Sequence, residues 1–111
     1  MDTELIKGTL SLLILSLLRR KAMYGYEIAA TVHEKTKGAF TWKEGSLYPS
    51  LHKLEAERLI EGKWEEKDTG RKRKFYHITA AGKSTLEAKL ESWKELVWAV
   101  NVILENRHGK D

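Results

Sequence analysis

No cysteine occurs anywhere in the 111-residue chain, which excludes a disulfide framework, a thiolate metal site and a cysteine nucleophile. A reducing, cytoplasmic setting is the expectation. Proline is nearly as scarce, Pro49 being the only one, so its position carries information. Long apolar runs are missing as well: the longest, Leu10 to Leu18, has nine residues against roughly 20 needed to cross a bilayer. It reads as a core helix, and no membrane partner is expected. Asp2 and Glu4 precede that run and Arg19, Arg20 and Lys21 follow it, the reverse of a secretory signal. Catalytic constellations are also lacking. His33, His52, His77 and His108 show no metal-ligand spacing, and no acidic pair or Ser/His/Asp arrangement accompanies them. Gly8, Gly25 and Gly45 do not form a phosphate-cradling loop. Neither an enzyme nor a metal or cofactor site is expected.

What is present is one domain's worth of chain, with a modest core whose stability can depend on self-association. Twenty Lys and Arg against 16 Asp and Glu leave a net charge of only +4. The distribution says more than the total. Arg71, Lys72, Arg73 and Lys74 are consecutive, whereas the acids of the same region lie earlier, so a short basic tip sits in an otherwise balanced chain. From Thr79 to Asp111 the signs balance at five each. Any function of that segment must come from its apolar face.

The apolar spacing predicts a first helix over Thr3 to Arg20, with Asp2 or Thr3 as its cap and apolar residues on more than one face. A second helix spans Tyr24 to Lys37 and stops at Gly38. A third begins near Glu44 to Ser46, where Leu47, Leu51, Leu54 and, past the next turn, Leu59 recur at three- to five-residue intervals. Pro49 then falls within or just beyond the first turn, where a missing N–H costs little, and Thr41 with Glu44 has the spacing of a capping box. Two short strands, Ile60 to Glu66 and Arg73 to Ile78, flank a turn containing Asp68 and Gly70. Thr79 opens a last helix reaching about Asn106. The fold class is therefore mainly α with a small β-hairpin, a winged helix-turn-helix over residues 1–78 plus a long C-terminal dimerisation helix and tail over 79–111.

In this architecture the third helix enters the major groove and the hairpin lies along neighbouring backbone. The polar face of that helix offers Ser46, Tyr48, Ser50, His52 and Lys53. The helix is nearly neutral, so attraction to double-stranded DNA falls to the wing cations Arg71 to Lys74. A short basic run taken alone is more often a solvated turn than a binding site; the order of elements is what favours DNA. Three stretches carry a family resemblance: "YGYEI" at Tyr24 to Ile28, "GSLYPSLHKLEAERLI" at Gly45 to Ile60, and "GRKRKFYHITAAGK" at Gly70 to Lys83. With them the chain resembles, over essentially its whole length, the PadR family of bacterial transcriptional regulators in its short form with one C-terminal helix. The resemblance implies a dimeric winged-helix repressor, with DNA contacts at Ser46, Tyr48, Pro49, His52 and Lys53 and at the wing cations.

Independently, Leu86, Leu90, Trp93, Val97, Val100 and Leu104 are spaced 4, 3, 4, 3 and 4, a heptad seam suited to a homodimer. Leu96, Trp98, Val102 and Ile103 widen the stripe. The string Glu91-Ser92-Trp93 is similar to one in drug-sensing PadR-like proteins, where the tryptophan faces its symmetry mate across a central cavity. That likeness implies a small, flat aromatic effector between two Trp93 rings, with Leu5, Leu12 and Val97 as apolar walls and no nearby charge to favour a cation. The rival reading is a winged-helix protein-interaction module without specific DNA binding; the intact basic wing argues against it.

Overall fold

The computed structural model describes residues 2–67 and 70–105. Asp68 of the expected turn and everything from Asn106 onward lie outside the described residues. The first helix is interrupted: α1 (Thr3–Ile6) passes through a 3-10 turn (Lys7–Thr9) into α2 (Leu10–Arg20). Asp2 is its cap, its Oδ1 accepting the Glu4 N–H at 2.9 Å. α2 is central, burying Ile14, Leu15, Leu17 and Leu18, which is why its apolar residues cover more than one face.

β1 (Met23–Tyr24) and α3 (Gly25–Lys35) follow. Helix α3 ends two residues before Lys37, and it is Lys37, at φ 52°, that first turns left-handed, with Gly38 next at φ 83°. The Gly38 N–H donates to the His33 carbonyl at 2.8 Å and the Lys37 N–H to Glu34 at 3.1 Å, the paired bonds of a Schellman motif. α4 (Glu44–Ala56) closes in the same way through Arg58, at φ 61°. Leu59 N–H donates to Leu54 and Arg58 N–H to Glu55, which folds Leu59 back beneath the helix.

At the start of α4 one expectation is corrected and the position of Pro49 is narrowed to the later of the two expected places. Lys43 is the N-cap without a side-chain bond, and the Thr41 hydroxyl reaches only the Gly38 carbonyl, at 3.5 Å, so there is no capping box. Pro49 stands in the second turn, beyond the tolerant one, and the Gly45 carbonyl loses its helical donor. Both groups are on the exposed side of the helix, where water satisfies such a carbonyl.

β2 (Ile60–Glu66) and β3 (Lys72–Ile78) form the hairpin, and β1 adds to the far side of β3 in the order β1-β3-β2, all antiparallel. A two-residue strand has no periodicity to read, so only tertiary pairing reveals it. Tyr76 faces the helical core, while Phe75 on the other face is covered edge-on by Tyr24 at 5.4 Å and by Lys67 at 4.7 Å. Eight side chains are almost fully buried: Ile14, Leu15, Ile28, Leu47, Leu51, Leu54, Ile60 and Leu86. At roughly 1.5–3 kcal/mol each they dominate the favourable side of folding.

α5 (Ala80–Glu105) begins on this core and leaves it. Leu86 is fully buried and Leu90 packs against the cluster, but every residue from Glu91 to Glu105 is exposed. This arm is about 22 Å long. It stretches the molecule to 61 × 29 × 22 Å and a radius of gyration of 16.4 Å, beyond the roughly 13 Å expected of a compact chain of this size.

Candidate nucleic-acid interface

Leu47, Leu51 and Leu54 anchor α4 in the core, so the helical repeat turns Gly45, Ser46, Pro49, His52 and Lys53 outward, all exposed. The outward arc has two edges. Tyr48 and His52 face the hairpin across an open groove of about 570 Å³ that Tyr26, Trp64 and residues Arg71 to Lys74 also line. Ser46, Ser50 and Lys53 face the opposite way, toward α1 and the 3-10 turn.

Tyr48 is held rather than free to swing. Its ring lies over the first residue of α3, where a Cβ on Gly25 would come within 2.5–2.8 Å of the ring and hydroxyl. The "YGYEI" and "GSLYP" strings therefore meet in space. Glu55 is the second fixing point. Its Oε2 accepts the Gly62 N–H from β2 and its Oε1 the Lys74 ammonium from β3, each at 3.2 Å. One half-buried carboxylate on α4 thus ties down both strands of the wing. Gly62 belongs to the same device, because an added Cβ would collide with the Lys74 side chain that crosses it to reach Glu55. Burial raises the pKa of the neighbouring Tyr76 hydroxyl; the Lys74 ammonium opposes this, and Glu55 and Tyr48 add to it.

Replacing Glu55 by Ala strips an acceptor from the Gly62 N–H and leaves Lys74 half-buried without its carboxylate. The expected cost is about 1–2 kcal/mol, with Glu55→Gln closer to wild type because the amide oxygen still serves Gly62. Chemical denaturation of the two variants checks the order.

The four wing cations are not equivalent. Arg71 and Lys72 are exposed. Arg73 is half-buried, its guanidinium 4.5 Å from the Tyr24 ring centroid, and Lys74 is committed to Glu55 and lies 5.5 Å from the Tyr76 ring centroid. The pleat separates them: Arg73 points to the outer face of the sheet with Phe75, and Lys74 to the core side with Tyr76. Two residues that the sequence reading passed over stand at the groove, Trp64 on β2 at 70% exposure and Tyr26 on α3 at 73%. Their signal was present in the sequence, as an aromatic residue on a short amphipathic strand and one beside a helix start. Only the fold puts both next to α4.

The seam on α5 divides. Leu86 and Leu90 belong to the chain's own core, whereas Trp93, Val97, Val100 and Leu104 are exposed together with Leu96, Trp98, Val102 and Ile103. Of the four expected effector residues, Leu5 is exposed, Leu12 packs partly against the core, and Trp93 and Val97 lie on the projecting arm. Neither groove at α4 includes any of the four.

Residues 14–88 match the model of the transcriptional regulator PadR-like family. A Lysinibacillus sphaericus protein, described as uncharacterized, is 34% identical over 103 residues, which is 93% of this chain and 94% of that protein. Among solved structures, a transcriptional regulator from Clostridium thermocellum superposes with a TM-score of 0.83 at 31% identity, covering 91% of this chain and 95% of the other. A PadR-like transcriptional regulator from Bacillus cereus does so with a TM-score of 0.81 at 36% identity, over 91% and 96%.

Proposed function

The chain belongs to the PadR-like family of transcriptional regulators, and on that premise we propose a dimeric repressor, acting in the cytoplasm, that a planar aromatic molecule releases from its operator. The observation that carries the DNA reading is the placing of the outward face of α4 beside the basic hairpin, held there by Glu55. Ser46, Tyr48, Pro49 and His52 present hydroxyl, imidazole and apolar groups to base edges, while Lys53, Arg71 and Lys72 meet phosphate oxygens. Arg73 and Lys74 contribute charge at the same wing while also bracing it against Tyr24 and Glu55.

The exposed half of α5 supports the dimer. Eight large apolar side chains on a helix that no other described residue covers are costly to leave in water, and an isolated helix of this length is marginal. Pairing two arms through Trp93, Val97, Val100 and Leu104 removes both problems and sets two copies of α4 at a fixed spacing, as a two-fold operator requires. Such a dimer represses by occupying the site that polymerase needs. A flat molecule wedged between paired Trp93 rings, with Val97, Leu5 and Leu12 around it, changes how the arms cross. It weakens operator binding to the extent that it favours the altered spacing.

The decisive experiment titrates the protein against a duplex from upstream of its own gene and against a scrambled duplex at two salt concentrations. Tighter binding to the first is expected, with a salt dependence that Arg71→Ala/Lys72→Ala reduces by about two counterions. Equal, weak binding to both would favour a protein-interaction module instead. For the effector, planar aromatic compounds are expected to quench tryptophan fluorescence saturably, and Trp93→Ala to abolish the saturable part. Absence of saturation across a range of neutral and cationic aromatics would remove the ligand from the mechanism.

A further inference from the structure

A helix that fills the major groove meets a phosphodiester strand on each side, since the groove is about 12 Å wide and a helix with its side chains spans about 10–12 Å. The wing accounts for one side of α4. On the other, a groove of about 770 Å³ runs between α4 and the start of the chain, and Lys7, Lys43 and Lys53 all line it. All three are exposed, and among the described residues none of them enters an ion pair. Glu4 also lines the groove, so three lysines and one carboxylate residue border it. The Ser46 and Ser50 side chains share the same wall.

Gly45, on that wall, adds a separate observation. Its φ is not in the left-handed region, and a Cβ built on it meets nothing within 4 Å. Neither turn geometry nor neighbouring atoms inside the fold call for glycine there, although glycine weakens an exposed helix. What its missing side chain does provide is a place where an outside group can approach the backbone of α4's first turn.

We propose that this groove is a second phosphate clamp, in which Lys7 and Lys43 join Lys53 to hold the DNA strand opposite the one gripped by the wing, with Gly45 admitting that strand close to α4. The clamp rests on the DNA-binding reading above. It makes the grip two-sided and assigns the 3-10 turn a binding role.

Counterion release does not depend on sequence, so the test uses a mixed-sequence duplex of about 30 base pairs over about 50–200 mM salt. Lys7→Ala/Lys43→Ala is expected to flatten the plot of log affinity against log salt by about two, as the wing pair does, while Lys83→Ala/Lys94→Ala on α5 leaves it near wild type. Gly45→Ala is expected to raise the melting temperature and weaken binding roughly tenfold. A wild-type slope near zero would overturn the DNA reading, and this clamp with it. A normal wild-type slope that Arg71→Ala/Lys72→Ala flattens but Lys7→Ala/Lys43→Ala does not would overturn the clamp alone, as would equal flattening by the α5 pair. A Gly45→Ala variant that binds undiminished, or melts lower, would remove Gly45 from it.

Discussion

Substituting Glu for both Val97 and Val100 is expected to leave a folded monomer that no longer holds its operator. Both side chains are exposed on the arm of α5 and contribute nothing to the buried core, so the winged-helix domain keeps its stability. In a paired seam the same changes place four carboxylates in apolar surroundings, and each uncompensated charge costs several kcal/mol. Association should fail outright. Two half-sites are then bound independently, and operator affinity falls by about 10²–10⁴ because the second contact is no longer intramolecular. Sedimentation gives the mass, circular dichroism the fold, and titration against the operator the affinity. A variant that sediments as a dimer with unaltered operator binding would show that the arms meet through another face.

Gly82→Ala is expected to be the most damaging one-carbon change in the protein. The start of α5 is docked on the turn that follows α4. The Thr79 N–H donates to the Leu59 carbonyl at 3.1 Å, the Thr79 hydroxyl lies 2.8 Å from the Arg58 carbonyl oxygen, and the Gly82 N–H donates to that hydroxyl at 3.0 Å. A Cβ on Gly82 would overlap the Leu59 carbonyl and come within 2.7 Å of Ile78 Cγ1. The Leu59 carbonyl is backbone, fixed by the Schellman turn at Arg58, and cannot swing aside. Helix α5 must lift instead, taking Leu86 with it. A loss of roughly 3 kcal/mol follows from overpacking of this kind, a fall of about 12–20 °C in melting temperature for a domain this size. Ala81→Ser, one residue earlier on the exposed side, is the control and should melt within a few degrees of wild type.

How far the sequence could be read depends on the kind of residue. Leu47, Leu51 and Leu54 announce α4 by spacing alone, and all three are buried. Ile60 to Glu66 is recognisable as a strand and has the expected bounds. β1 was not legible, because a strand of two residues exists only through its pairing with Tyr76 and Phe75. Pro49 is legible only to within a turn: the sequence puts it within or just beyond the first turn of α4, and the structure puts it just beyond, two residues after Leu47, the first residue whose N–H makes an i→i−4 bond. The heptad from Leu86 to Leu104 is uniform as a pattern, yet its first two members lie in the intrachain core and the other four are exposed. Periodicity reports that a face is apolar and is silent about what covers it.

The basic run at Arg71 to Lys74 shows the same division. Four consecutive cations look equivalent on paper. The pleat sends Arg73 to one face and Lys74 to the other, and the partners waiting there, the Tyr24 ring and the Glu55 carboxylate, come from distant parts of the chain. By itself the sequence determined the order and type of the longer elements, though not β1 or the 3-10 turn, together with the absence of chemistry that needs cysteine and the family, because local periodicity and short strings of residues suffice for these. The tertiary structure alone decided which cations remain at the surface, that Trp64 and Tyr26 stand beside α4, and that Gly82 and Gly25 lie against backbone and ring. These are contacts between segments far apart in the chain, and they are set by packing rather than by any local preference.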